Sequence, residues 1–396
     1  MQYSNRVLNT PSSFIRNILK VTDAPDVISF AGGLPNPISF PLENLQEAIN
    51  RAINDNGSKI FQYASTNGYL PLRQYIADKY NRKHDLGITA DDILLTTGSQ
   101  QALSLLSQVL INPGDGIIIE EPGYLGAIQA FTMSEPSFYP VTLEEDGLNL
   151  EELKVALDQP NVKFIYTVPN FQNPTGLTYT AERRKEVYEL IKDRDIILVE
   201  DDPYGELRFK GDSLPYIAAG KSENSVLLGS FSKTVTPGMR LGFIISKNKE
   251  LMRHIETAKQ ASDLHTNIFS QYAIYEYLTH NEYDTHVQKI IELYDAQSKV
   301  MLEALEEHFP ENVSFTRPEG GMFVWATLNN GMTAMEFFER AMDVGVAFVP
   351  GDPFYTSKKD VNTLRLNYTN SAPEVIRDGI KRLATILKDA EIVQKS

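Results

Sequence analysis

The sequence predicts an α/β fold, a large unit on a mostly parallel sheet flanked by helices, joined to a smaller α+β unit. Three observations carry this. Short apolar runs alternate with helical patterns through the middle of the chain, a long helical stretch covers about 247–309, and the remainder mixes strands with helices. The chain's 396 residues also exceed the ~250–300 at which a single core stops growing, so two domains are expected.

The elements follow in order. Residues 92–97 read as a buried strand, and Gly98 opens a helix to about Leu110 that Asn112-Pro113-Gly114 ends. A second strand covers 116–120, with a helix from Gly123 onward, and a third strand covers 164–168. Thr180 has the character of an N-cap, before a helix with Val187, Leu190 and Ile191 on one face. Strands at 196–200, 226–229 and 241–245 complete the set. Strands separated by helices imply right-handed βαβ units and helices on both faces of the sheet. Beyond the helical connection come strands at 322–327, 347–350 and 363–367, with helices near 333–344 and 373–389. The expected division is a large domain over 46–285 and a small one over 286–396, with residues 1–45 joining the small one.

Composition removes several classes of function. A net charge of −15 argues against non-specific nucleic-acid binding, which needs a cationic footprint. With no cysteine there are no disulfides, thiolate metal sites or cysteine nucleophiles. No apolar run approaches the ~20 residues of a membrane helix. The opening lacks a basic stretch followed by an apolar one, so a cytoplasmic location is expected. The six histidines, at 84, 254, 265, 280, 286 and 308, show no metal-ligand spacing, and no metal is expected. Chemistry must then come from lysine, carboxylates, tyrosines or a cofactor.

Four segments stand immediately after expected strands, where ligands of such sheets bind. Gly98-Ser99-Gln100 opens a helix, whose free N–H groups and dipole suit a phosphate, although a serine there can equally be only a cap. No Gly-x-Gly-x-x-Gly or Walker lysine accompanies it. Asn173-Pro174-Thr175-Gly176 is either a functional loop or merely a turn. Glu200-Asp201-Asp202-Pro203-Tyr204 places three carboxylates at a strand end, costly to bury without a positive partner, while an exposed acidic loop is the plain alternative. Ser230-Phe231-Ser232-Lys233 with Arg240 supplies hydroxyls, an amine and a guanidinium before the next strand, and a solvated lysine is the plain alternative there.

In order and spacing the four together resemble the fold type I pyridoxal-phosphate-dependent aminotransferases of class I/II. Asp201, three residues before Tyr204, comes 28 residues after Asn173; Lys233 comes 32 further on, and Arg240 seven beyond it. The likeness runs from Ser29-Phe30-Ala31-Gly32-Gly33-Leu34-Pro35 to Leu364-Arg365-Leu366-Asn367-Tyr368. Ser13-Phe14-Ile15-Arg16 followed by the glycine-rich run is similar to the 2-aminoadipate and kynurenine aminotransferase subgroup.

The resemblance implies pyridoxal 5′-phosphate held as a Schiff base on Lys233, which is also the base that moves the substrate proton. It assigns Asp201 to the pyridine nitrogen, with Asp202 as competitor. It assigns Asn173 and Tyr204 to the phenolic oxygen, and Tyr124 to stacking on the ring. Ser99, Gln100, Ser230, Ser232 and Arg240 would hold the phosphate, joined by Tyr63 from a neighbouring subunit, which makes a homodimer the active unit. Arg365 would clamp the substrate carboxylate, Gly33 would leave room beside it, and Arg16 would read a distal carboxylate unless it is simply a solvated arginine. The implied reaction moves an amino group between an L-amino acid (2-aminoadipate, glutamate, aromatic or branched) and a 2-oxo acid such as 2-oxoglutarate. A β-lyase on the same cofactor is the alternative, and a non-catalytic regulator a distant third, since residue 1 lies about 30 residues before the first core motif.

Overall fold

The structure, a computed structural model, describes residues 1–10 and 26–395. Its centre is an eight-stranded sheet of β2 (Ile93–Thr96), β3 (Gly116–Glu121), β4 (Ser137–Glu144), β5 (Gly147–Leu148), β6 (Val162–Thr167), β7 (Ile197–Asp201), β8 (Ser225–Ser230) and β9 (Gly242–Ile245). The spatial order is β2-β9-β8-β7-β6-β3-β4-β5. From β8 through β4 every neighbouring pair is parallel.

Alternation along these strands explains why they read as continuous apolar runs. Ile117, Ile119, Phe164, Tyr166 and Val199 join a core with the helix Gly98–Leu110. Ile118, Ile165 and Leu198, one residue out of step, join a second core with the helices Leu150–Leu157 and Ala181–Ile191. Both faces of the sheet are covered, as parallel strands require. Thr180 caps the latter helix, its side chain accepting from Arg183 N.

Two departures from the expected elements have simple causes. Strand β9 runs antiparallel to β8 and to β2. Only the loop 231–241 joins it to β8, with no crossover helix to return the chain. That loop therefore stays at the carboxyl end of β8 and carries Lys233 and Arg240 there. Strand β4 lies near the sheet margin, is only partly buried and contains Pro140, so it lacks the apolar run that marks the others.

A second, four-stranded antiparallel sheet combines β10 (Val313–Phe315), β11 (Phe323–Leu328), β14 (Thr363–Asn367) and β13 (Val349–Pro350) in that order. The strand expected over 347–350 is divided. Val346–Ala347, β12, pairs in parallel with Ile28–Ser29, β1, whereas β13 pairs with β14, the chain changing sheets at the fully buried Phe348. Three helices, Lys249–Ser262, Ile268–His280 and Tyr283–His308, fill the long helical stretch. Among the described residues no helix is long and apolar enough to cross a membrane.

Candidate active site

A cavity of about 450 Å³ opens beyond the carboxyl ends of β6, β7 and β8. Its lining contains Gly33, Ser99, Gln100, Tyr124, Asn173, Asp201, Tyr204, Ser230, Ser232, Lys233, Arg240 and Arg365. Residues from seven separate segments thus converge on one cavity. Tyr63 does not join them within one chain. It is 79% exposed and lines a different hollow with Phe61, His265 and Phe269. Arg16 lies outside the described residues.

Asp201 and Asp202 diverge because side chains alternate at a strand end. Asp201 lines this cavity, its Oδ2 accepting from the Tyr166 hydroxyl at 2.7 Å. Asp202 lines a separate cavity of about 450 Å³ behind it, accepting there from Asn170 Nδ2 at 2.9 Å and the Tyr216 hydroxyl at 2.8 Å.

Lys233 Nζ donates to Gly33 O at 2.7 Å. Burial, reinforced by the Arg365 and Arg240 charges, lowers its pKa to about 8. Burial raises Asp201 to about 7, with Asp202 and Glu120 adding to the rise and the Tyr166 hydrogen bond opposing it. Tyr124 is pushed up to about 12, and Tyr204 also upward, both chiefly by burial.

Arg365 lies in the middle of β14, between Trp325 and Val349 in register. Its Nη1 donates to Asn173 Oδ1 at 2.8 Å and its Nη2 to Ala31 O at 2.6 Å. The Phe323 and Phe354 rings lie 4.4 and 5.3 Å from the guanidinium carbon. Its Nε is buried without a partner, and no carboxylate forms an ion pair with it among the described residues. Desolvation lowers its pKa to about 10, so it remains charged at neutral pH. A buried, charged guanidinium with a spare donor calls for an anion.

Two glycines are required by close approach. Gly98 has φ +72°, and a Cβ there would lie 2.6 Å from Arg240 Nη2. The Arg240 guanidinium therefore sits against the first turn of the helix Gly98–Leu110. Gly176 has φ +72°, and a Cβ would lie 2.4 Å from Phe323 O, so the end of the Asn-Pro-Thr-Gly turn is pressed against β11.

Pyridoxal phosphate fits these residues. Ser99 Oγ and Asp201 Oδ1, like Arg365 Nε, are buried with no hydrogen-bond partner among the described residues. A hydroxyl at a helix N-terminus beside a guanidinium suits a phosphate. A free carboxylate oxygen suits a protonated ring nitrogen, and a buried lysine of low pKa suits an aldehyde.

Some contributors were not visible in the sequence. Tyr166 reads as one more residue of a buried strand, and only the β6–β7 register shows it beside Asp201. Glu120, buried and raised to about 7 by desolvation, accepts from Val168 N, Gln172 Nε2 and the Tyr179 hydroxyl, and so fastens the loop that carries Asn173. Leu34, Leu125 and Gln129 complete the cavity wall.

The fold and the site define a pyridoxal-phosphate-dependent transferase of fold type I. The chain belongs to the family of aminotransferases class I and II, which matches residues 26–383. It is an aminotransferase, using pyridoxal 5′-phosphate and acting on amino acids and 2-oxo acids. It is 44% identical to aromatic-amino-acid aminotransferase 1 of Thermococcus litoralis, over 98% of this chain and 94% of that one. It is 39% identical to 2-aminoadipate transaminase of Thermus thermophilus, over 95% and 94%. Among solved structures, kynurenine aminotransferase of Pyrococcus horikoshii superposes with a TM-score of 0.93 at 41% identity, covering 98% of this chain and 97% of that one.

Proposed function

We propose that this aminotransferase takes amino groups from aromatic, 2-aminoadipate-like or branched L-amino acids and from glutamate, with 2-oxoglutarate as an acceptor. The observation that carries the reading is the buried guanidinium of Arg365, its Nε without a partner among the described residues, in a cavity whose wall also contains Leu34, Leu125 and Tyr124. The guanidinium suits the α-carboxylate common to all amino acids, and the wall suits a long or apolar side chain. The relatives named for aromatic amino acids and for 2-aminoadipate support the same range.

When bound, the cofactor supplies an aldehyde for the amino group and a ring that draws electrons from Cα. Lys233 would anchor it and, as a free amine, would carry the proton away from Cα. Asp201, whose Oδ1 is buried and free among the described residues, would hold the ring nitrogen. Asn173 and Tyr204, 3.3 Å apart through Asn173 Nδ2 and the Tyr204 hydroxyl, would hold the phenolic oxygen, and Tyr124 would cover the ring. Ser99, Gln100, Ser230, Ser232 and Arg240 hold the phosphate. Gly33 borders the substrate, and Arg16 meets a distal carboxylate when there is one.

The reading includes a homodimer in which the exposed Tyr63 reaches the other subunit's phosphate. It retains the division at 46–285 and 286–396 with residues 1–45 on the small side, and a cytoplasmic location that cell fractionation checks.

Single-turnover reaction with each amino acid in turn, following loss of the visible cofactor band, tests the substrate range. Fast reaction with phenylalanine, leucine, glutamate and 2-aminoadipate is expected. Reaction confined to short neutral donors such as alanine would remove it. Arg16→Ala is expected to slow glutamate and 2-aminoadipate relative to leucine.

Gly98→Ala tests the phosphate site. A side chain in this left-handed conformation and within reach of Arg240 costs at least ~1–2 kcal/mol. Cofactor affinity of the apoenzyme, measured by fluorescence titration, is expected to fall about tenfold. Unchanged affinity would separate Arg240 from phosphate binding.

A further inference from the structure

Asp201 presents its two oxygens unequally. Oδ2 is taken by the Tyr166 hydroxyl at 2.7 Å, and Oδ1 is buried and unpartnered among the described residues. Tyr166 itself is fully buried and does not line the cavity. Its ring packs edge-on against Phe131 at 5.4 Å between centroids. The hydroxyl therefore has one place to send its proton, and an ionised carboxylate, which can only accept, is the partner that makes this bond strongest.

The arrangement follows from register. Tyr166 pairs with Val199 across β6 and β7, and Asp201 lies two residues on from Val199, on the same face. Asp202, one residue further, points to the rear cavity and takes its own hydroxyl from Tyr216. Each of the two neighbouring carboxylates thus has a dedicated tyrosine.

A carboxylate facing a ring nitrogen shares one proton with it, and the proton rests on whichever group is more basic. Here the carboxylate is buried, with Glu120 and Asp202 nearby, and all three circumstances make it more basic. Left to these, Asp201 would compete for the proton and leave the ring neutral, a poorer acceptor of electrons from Cα.

We propose that Tyr166 is a positioning residue that holds the shared proton on the cofactor nitrogen by donating to Asp201 Oδ2, so that Oδ1 meets the ring as a carboxylate. This rests on the assignment of Asp201 to the ring nitrogen. The hydroxyl of Tyr166 also fixes which oxygen is offered and the plane in which it is offered, while the phenyl ring fills the core behind it.

Tyr166→Phe keeps the ring and removes the donor. The readout is the 15N chemical shift of the ring nitrogen in holoenzyme reconstituted with labelled pyridoxal phosphate, which separates a protonated from a neutral ring without turnover. In the wild type the nitrogen is expected to be protonated. In Tyr166→Phe the shift is expected to move toward the neutral value, with kcat about tenfold lower, the scale of one charge-assisted hydrogen bond, and KM little changed.

Replacing Tyr166 with 3-fluorotyrosine, a stronger donor, is expected to leave the nitrogen fully protonated and kcat at or above wild type, and it serves as the second variant if the phenylalanine form does not fold. A nitrogen that stays protonated in Tyr166→Phe with unchanged kcat, or a nitrogen that loses its proton in the fluorotyrosine protein, overturns the role of Tyr166. Asp201→Asn separates the two claims. If it too leaves the nitrogen protonated, the assignment of Asp201 has failed rather than that of Tyr166.

Discussion

Lys233→Ala is expected to reduce turnover by roughly 10⁴-fold, since it removes both the covalent anchor and the proton carrier. The protein should remain folded, because among the described residues the amine makes a single hydrogen bond, to Gly33 O. Borohydride treatment followed by peptide mass mapping should place a phosphopyridoxyl group on Lys233 of the wild type and on no residue of the variant. An adduct on another lysine would move the anchor elsewhere.

The same amine sets a pH dependence. A lysine lowered from 10.5 to about 8 by burial and by the Arg365 and Arg240 charges is ~10% neutral at pH 7, roughly 300-fold more than an ordinary lysine. The neutral form attacks the aldehyde. The rate of recombination of apoenzyme with pyridoxal phosphate should therefore rise about tenfold per pH unit up to about 8 and level off above it. A rise continuing toward pH 10 would make Lys233 an ordinary solvated lysine.

Arg365→Lys is the second large effect. Lysine keeps the charge but loses the planar fork and the stacking on Phe323 and Phe354. It also leaves either Asn173 Oδ1 or Ala31 O without its donor. Truncating one side of a buried, hydrogen-bonded ion contact costs about 2–5 kcal/mol. KM for both amino and oxo acids should rise about 100-fold, in parallel for every side chain, with cofactor affinity nearly unchanged. A loss restricted to dicarboxylic substrates would instead mean that Arg365 reads the side chain.

The sequence made the parallel strands legible because each is buried on both faces and so appears as an uninterrupted apolar run. Strand β4 escaped because it is partly exposed and carries Pro140. At the site, Lys233, Asn173 and Arg240 follow recognisable strands and Arg365 occupies one, and it was the resemblance of their order to a known family that singled them out. Arg365 carries a buried charge that still calls for an anion, and an amide, a carbonyl and two rings hold it in place. Tyr166 and Glu120 could not be found this way. Their importance lies in which strand they adjoin and in what register, and one chain's residue order does not state that. Even the choice between Asp201 and Asp202 needed the direction of a side chain at the end of β7.

That pair has a consequence for how the enzyme can be altered. Asp201 and Asp202 look into opposite cavities, so the backbone at the end of β7 is a partition one residue thick. The chamber behind it is bounded by Asn170, Tyr216 and Arg208 and meets the active-site cavity at Pro203 and Ser230, so a repacking there that tilts Asp202 is expected to turn the shared peptide and reach Asp201. The rear chamber is thus a back door for adjusting the reactive face, a place where directed evolution can retune the chemistry while Gly33 and Arg365, which do not line it, are left as they were.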